Sequence, residues 1–242
     1  MTSAVVLAVK DLKKTVGNLI LLRRVSFSVN TGEIFGFVGP NGAGKSTTMK
    51  IVMDFIKPTA GEVYIFGRKH SDPSVRRRVG FLPEHPYFYA NVTGWEFLKF
   101  LQLTSGVAPE EFRRRVDYYG ERLQINWALD KKLSEYSKGM LQRFGLLQVV
   151  VGEPDLLILD EPMSGLDPIG RRLVMDLMEE LRNRGKTIFF STHILPDVER
   201  ICDRAAVIVK GEVTDLLEGE DLKQVEDVFM RRVEEAGLRE VL

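Results

Sequence analysis

The stretch GPNGAGKSTT, residues 39–48, constrains this chain more than any other. It sets three glycines and one lysine directly before a run of hydroxyl residues. Glycine held inside a helix or strand costs about 0.5–1 kcal/mol relative to alanine, so such a cluster marks a backbone bent around something. EIFGFVG (33–39) reads as a strand running straight into the loop. KSTTMKIVMDFI (45–56) follows with helical spacing; Val52, Phe55 and Ile56 can share a face, and KPTAG ends the helix. Gly39 to Ser46 fits G-x-x-x-x-G-K-[ST] in the strand–loop–helix context that this phosphate-binding motif requires. A helix start offers unpaired N–H groups and partial positive charge. The bend through Gly39, Asn41, Gly42 and Gly44 lets successive amides face one anion. Lys45 brings a full charge to the outer phosphates, Ser46 a hydroxyl for magnesium, and Thr47 a further phosphate hydrogen bond. The expected ligand is a nucleoside triphosphate with magnesium.

LLILDEP (156–162) supports this. Four aliphatic residues in a row suit a strand covered on both faces. Asp160 then falls at the carboxyl end of a parallel strand, where open α/β sheets bind ligands, and can hold magnesium directly or through water. Glu161, one residue on, is placed to orient and deprotonate an attacking water.

The remaining pattern predicts an α/β fold. AVVLAV (4–9), VSFSV (25–29), GEVYIFG (61–67) and KTIFFSTH (186–193) read as strands and AAVIVKGEV (205–213) as a hairpin. Between about Pro83 and Gly152 the pattern turns helical. TGWEFLKFLQL opens on Thr93 with Glu96 at the capping-box position. PEEFRRRVDYYGERLQI and KGMLQRFGLLQVVV follow. GRRLVMDLMEELRNRG (170–185) is amphipathic, and VEDVFMRRVEEAG (225–237) reads as a closing helix that packs back on the core, with Leu222, Val225, Phe229 and Val233 on one side.

A length of 242 residues suits one large domain, or one domain with an insertion, and 44% hydrophobic residues fill a sizeable core. The formal net charge is zero, so no overall field favours nucleic acid or anionic lipid. Arg76–Arg78 and Arg113–Arg115 are short enough to be solvated faces or local ion pairs. The single cysteine, Cys202, allows no internal disulfide and points to a reducing compartment. MTSAVVLAVKDLKK has no basic n-region and too short an apolar run for a signal peptide. No stretch approaches the roughly 20 apolar residues of a membrane span, so work at a membrane requires another polypeptide. His70 and His85 lie in loop-like contexts and read as solvated.

In order and spacing, the motifs resemble those of the nucleotide-binding subunits of ABC transporters, over about residues 4–215. GPNGAGKST matches the phosphate loop, YSKGMLQR (136–143) the signature loop, LLILDEP the acidic strand, SGLD (164–167) the D-loop and STH (191–193) the switch histidine. The resemblance implies a P-loop NTPase core with a mainly parallel sheet, an N-terminal antiparallel β part and an inserted helical subdomain. It divides the chain into 1–83 with 153–242 as the ATP-binding core and 84–152 as the helical part carrying the signature loop. It implies an ATP hydrolase in which two copies, or one copy and a related ATPase subunit, pack head to tail around ATP and magnesium. Ser137 and Gly139 of one copy would cap the nucleotide on the other's phosphate loop, and Asp167 would complete the geometry across the pair. His193 would sense the γ-phosphate and steady the water. The expected partner is a transmembrane permease, with the chain peripheral on the inner membrane face. The reading kept beside it is a soluble member of the family acting on ribosomes or DNA. Ribosome-acting members usually carry two such domains, and DNA-repair members a long coiled coil for which the gap from Gly39 to Ser137 is too short. A non-hydrolysing binding module is disfavoured by the intact Glu161 and His193.

Three positions depart from the common family form. Glu84, in LPEHP, stands where a glutamine often joins magnesium to the transporter-facing loop, and LPE resembles an exporter-like, ABC-2 branch. Lys138 replaces the signature's usual second glycine and is expected to point to solvent. Val16 occupies the place of an aromatic adenine platform. Base–aromatic stacking is worth about 1–3 kcal/mol, so valine implies modest affinity and weak base selectivity. EHPYFYANVTGW (84–95) places Tyr87, Phe88 and Tyr89 beside the groove where the family docks a helix of the membrane subunit.

Overall fold

The computed structural model describes residues 4–238; the first three and last four residues, which fall in the ranges assigned to the core, lie outside it. In chain order the elements begin with β1 (Val5–Val16), β2 (Leu19–Asn30), β3 (Ile34–Val38), α1 (Lys45–Val52), β4 (Ala60–Ile65), β5 (Arg68–Lys69), α2 (Pro73–Arg76) and β6 (Val79–Leu82). Three helices follow, α3 (Gly94–Ser105), α4 (Pro109–Arg122) and α5 (Lys138–Val150). The chain then runs through β7 (Leu156–Leu159), α6 (Pro168–Asn183), β8 (Thr187–Thr192), α7 (Leu195–Ile201), β9 (Arg204–Val209), β10 (Glu212–Glu218) and α8 (Val225–Glu235).

One ten-stranded sheet runs in the order β5-β4-β1-β2-β10-β9-β3-β8-β7-β6. From β9 through β3, β8 and β7 to β6 every pairing is parallel. β1, β2, β4 and β5 pair antiparallel. Parallel strands need crossovers that cover both faces, and the side chains of β3, β7 and β8 alternate accordingly. Ile34, Leu157, Leu159, Ile188 and Phe190 join the cluster under α3–α6. Phe35, Leu156, Ile158 and Phe189 join the cluster shared with α1 and the antiparallel strands. Phe27 stacks on Phe35 at 5.5 Å and meets Phe37 and Phe189 at 5.2 Å, tying the two sheet regions together.

Two expectations change. The first hairpin is far longer than 4–9 and 25–29: its strands have 12 residues each. Its outer half is largely solvent-exposed and pairs through shifted registers; there the first strand carries KDLKK and lacks the apolar run that marks a strand, while the second carries LILL at 19–22. The helix after the phosphate loop stops at Val52, because Asp54 takes a left-handed φ of 60°. Phe55 therefore leaves the buried face and packs edge-on against Phe81 at 5.4 Å. The capping box at Thr93 and Glu96 forms as expected, with bonds of 2.7 and 3.2 Å. Leu222, Val225, Phe229 and Val233 are all buried beneath the closing helix. Arg76, Arg78, Arg113, Arg114 and Arg115 each meet a carboxylate, as local ion pairs.

α4 is tied to α6 by a polar network. Tyr118 and Arg122 both donate to Glu180, while Arg184 donates to the Tyr119 hydroxyl and to Glu153. Burial alone would raise the Glu180 carboxyl, but the bonds from Tyr118 and Arg122 outweigh it and hold it below its usual value. Burial, with Glu153 beside it, pushes the Tyr119 phenol up to about 12. A lowered carboxylate stabilises the fold fully above its unfolded value of 4.5, and that stabilisation is lost as pH falls through the folded value. Glu180→Gln should therefore cost about 1–2 kcal/mol at pH 7, roughly 2–8 °C in melting temperature. Thermal melts should show the gap to the parent chain closing as pH falls below 4.5.

Candidate functional site

The site gathers at the carboxyl ends of β3, β7 and β8. A cavity of about 360 Å³ is lined by Leu21, residues 40–47, Glu84 and Glu161. The loop glycines have separate reasons. At Gly39 a Cβ would lie 2.3 Å from the Ile208 carbonyl oxygen of β9, so close strand approach requires glycine. Gly44 has φ 107°, and a Cβ there would strike Leu22 at 2.5 Å. Gly42, at φ 79°, faces open space with no atom within 4 Å of where its Cβ would be. The result is a hollow walled by backbone at the start of α1.

Lys45 lies in this hollow with its side chain 6% exposed. Its Nζ donates to the Gly39 and Pro40 carbonyls at 2.6 and 3.3 Å and stands 3.4 Å from Glu161 Oε1. Glu161 is the one non-glycine residue of the lining with a left-handed backbone, φ 48°. That conformation costs about 1–2 kcal/mol for a residue with a Cβ. It is held by Ser191: the Glu161 amide donates to Ser191 Oγ at 2.9 Å, and that hydroxyl donates to Asp160 Oδ1 at 2.6 Å. Gln142 of α5 donates to the Glu161 and Pro162 carbonyls at 3.2 and 3.1 Å. His193 Nδ1 lies 3.0 Å from Glu161 Oε2, because β8 runs parallel to β7 and ends beside it. With Nδ1 protonated, the imidazole donates to that carboxylate. Glu161 thus has a cation on one oxygen and an imidazole on the other.

The expected residues fall into two groups. Asn41, Gly42, Gly44, Lys45, Ser46, Thr47, Glu84 and Glu161 line one cavity. Gly39 supplies its back through the Lys45 bond, and His193 reaches its rim through Glu161. Asp160 is 2% exposed and lies behind the lining. Val16 is 56% exposed on the hairpin and is not in the lining; Leu21, which the sequence did not mark, is. Ser137, Gly139 and Asp167 form a second group away from the cavity. Ser137 caps α5 by accepting from the Met140 amide at 3.2 Å, and Asp167 caps α6 by accepting from the Gly170 amide at 2.7 Å. A Cβ at Gly139 would touch Leu166 at 3.4 Å, so the two caps are neighbours. Lys138 is solvent-exposed, but its stem lies across Gly165, within 2.7 Å of where a Cβ would be.

Two further expectations are corrected. His70 is not solvated: its side chain is 12% exposed, with Nδ1 3.2 Å from the Val63 carbonyl and Nε2 3.5 Å from Asp54. His85 is solvated, at 74%. Phe88 packs inside, edge-on to Phe97 and Phe144 at 5.2 and 5.1 Å, while Tyr87 and Tyr89 stand 92% and 74% exposed. Gln142 and Ser191 escaped sequence reasoning; α5 carries two glutamines, Gln142 and Gln148, and only the fold shows that the first of them is buried.

The donors fit a magnesium-bound polyphosphate. The open cradle at Gly42 and the buried Lys45 ammonium suit an anion, and Ser46, Glu84 and Asp160 are hard oxygen donors. Among the described residues no three His, Cys, Asp or Glu side chains stand close enough to hold a metal alone. Magnesium here would take its other ligands from phosphate and water.

Comparison with known proteins agrees with this geometry. Residues 22–164 match the family described as ABC transporter. An uncharacterized ABC transporter ATP-binding protein of Synechocystis is 45% identical over 196 residues, 79% of this chain, which spans only 55% of that protein's length. The bacitracin transport ATP-binding protein BcrA of Bacillus licheniformis is 36% identical, over 88% of this chain and 70% of its own. A solved structure titled as the ATP binding subunit of an ABC transporter superposes with a TM-score of 0.82 at 32% identity, covering 97% of this chain and 94% of its own. With the phosphate loop and Glu161 of the acidic strand lining one cavity and more than half the sequence matching the family's profile, the chain belongs to the ABC transporter family.

Proposed function

We propose that this chain binds and hydrolyses ATP with magnesium as the ATP-binding subunit of a membrane transporter. The observation that carries the reading is the trio Lys45, Glu161 and His193 meeting at the phosphate-loop cavity. Residues 39–47 would hold the triphosphate, with Lys45 exchanging loop carbonyls for phosphate oxygens. Ser46, Glu84 and Asp160 would hold magnesium, which supplies charge neutralisation to the phosphates. Glu161 would take the proton of the attacking water, with His193 fixing its carboxylate. Leu21 offers the base an aliphatic wall and no stacking ring, so phosphate contacts would dominate affinity.

Ser137, Gly139 and Asp167 lie outside the cavity of their own chain, which suits a head-to-tail pair in which they close the partner's nucleotide. Closure on ATP and reopening after hydrolysis would drive a transmembrane permease. The helical segment 84–152 would be the moving part against 1–83 and 153–242. Tyr87 and Tyr89 are the exposed contacts for the permease, on a pedestal formed by Phe88. Among the described residues no helix is long and apolar enough to cross a membrane, so attachment at the inner face would come through that partner. The transport name of BcrA supports this assignment.

Phosphate release by the full chain tests the catalytic core. Magnesium-dependent turnover is expected with ATP and, because no ring stacks on the base, with GTP within about tenfold. Lys45→Ala should lose about 2 kcal/mol or more of triphosphate binding, the strength of charge-assisted hydrogen bonds. Equal nucleotide binding by parent and Lys45→Ala would overturn the assignment.

A further inference from the structure

Two helices leave the neighbourhood of the site, and one ion pair joins them. α6 begins directly behind Asp167, and α7 begins two residues behind His193. Arg171 of α6 donates to Asp197 Oδ1 of α7 at 2.6 Å. The Asp197 side chain is 5% exposed, and its other oxygen, Oδ2, is buried without a hydrogen-bond partner. Arg171 is the sole cation within ion-pair distance of it among the described residues.

This pair connects backbone segments that matter to the reaction. The Arg171 amide donates to the Asp167 carbonyl at 2.9 Å, so one residue grips the D-loop by its backbone and α7 by its guanidinium. At the far end the Ile194 amide donates to Thr192 Oγ1 at 3.0 Å, which makes the turn holding His193 a stiff extension of α7. A shift of α7 would therefore be carried to the imidazole and to its 3.0 Å contact with Glu161. Packing does not need the pair: Val198 and Ile201 already bury α7 in the core. A half-satisfied buried carboxylate is a poor way to gain stability, since apolar replacements of buried ion pairs are often as stable or more so. What an arginine–carboxylate pair adds is a fixed geometry.

We propose that Arg171 and Asp197 are positioning residues: a strut that sets the switch histidine against Glu161 in fixed relation to the D-loop. The proposal rests on the reading of Glu161 and His193 as the groups acting on water. With the strut intact, the histidine at this chain's own nucleotide and the D-loop offered to the partner's nucleotide would be referenced to one rigid piece made of α6 and α7.

The chain has three histidines, so the imidazole resonances of the full chain are resolvable by NMR and assignable with His193→Gln. In Arg171→Met and Asp197→Asn the His193 resonance should move while those of His70 and His85 stay. kcat for ATP should fall about 10–100-fold, the size expected of a misplaced catalytic group. KM should stay within about twofold, since Lys45 and the phosphate loop are untouched. Arg171→Lys should recover much of the rate. The double variant Arg171→Met/Asp197→Leu leaves no buried orphan charge; it should regain melting temperature yet keep the displaced resonance and low kcat. A His193 resonance unmoved in the double variant, or activity returning together with stability, overturns the strut. Absence of ATP turnover in the parent chain would sink the hydrolysis reading instead, and the resonance would still decide the strut.

Discussion

Glu161→Gln is expected to turn over ATP about 10²–10⁴-fold more slowly than the parent chain, the range for removal of a general base, while still binding the magnesium nucleotide. The substitution keeps shape and the 3.0 Å approach to His193 but removes the charge that takes a proton. It also relieves Lys45 of its anionic neighbour at 3.4 Å, which frees the ammonium for phosphate, so affinity should hold or rise. Single-turnover phosphate release with parallel equilibrium nucleotide binding separates the two effects. Turnover within a few-fold of the parent would assign the base elsewhere, and joint loss of binding would make Glu161 a structural anchor.

Phe144→Ala destabilises the chain by about 3–5 kcal/mol, the range for truncating a buried phenylalanine. Phe144 is fully buried and is met edge-on by Phe88, Phe97 and Tyr136 at 5.1, 5.8 and 5.7 Å. Those rings come from the loop before α3, from α3 and from the segment before α5, so one side chain joins the helical region to the tyrosine-bearing loop. Two residues away, Gln142 holds the Glu161 carbonyl. Chemical denaturation should therefore show a lower midpoint with unchanged slope. Under native conditions the same variant should bring disorder at Tyr87 and Tyr89, read as faster amide exchange in residues 84–95. A loss below about 1 kcal/mol would mean that the cluster refills the cavity by collapse.

The phosphate loop and the acidic strand were legible because each is a local device. Glycine at Gly42 and Gly44 follows from φ, and Asp160 and Glu161 follow four aliphatic residues that can only be a covered strand. β7 and β8 were each legible as a buried run ending in polar residues, and their parallel pairing brings His193 to Glu161. What stayed hidden depends on distant chain segments. Leu21 reaches the cavity because the hairpin extends well past the strands the sequence marked; it sits in LILL (19–22), but the facing residues 10–16 carry no strand pattern to pair with it. His70 is enclosed because Asp54 turns left-handed and comes to face it, which no loop composition reveals. Phe88 differs from its tyrosine neighbours only in having no hydroxyl to keep wet, and the three were indistinguishable by spacing. Arg171 and Asp197 lie on separate helices, and nothing in either helix's periodicity names the other.

The left-handed backbone at Glu161 has a consequence for how this chain can be improved. Glycine or asparagine would occupy that conformation at lower cost, so any selection for heat resistance alone is drawn towards discarding the carboxylate. Robustness and chemistry compete for a single codon, and a laboratory programme to harden this fold should exempt that codon from its libraries.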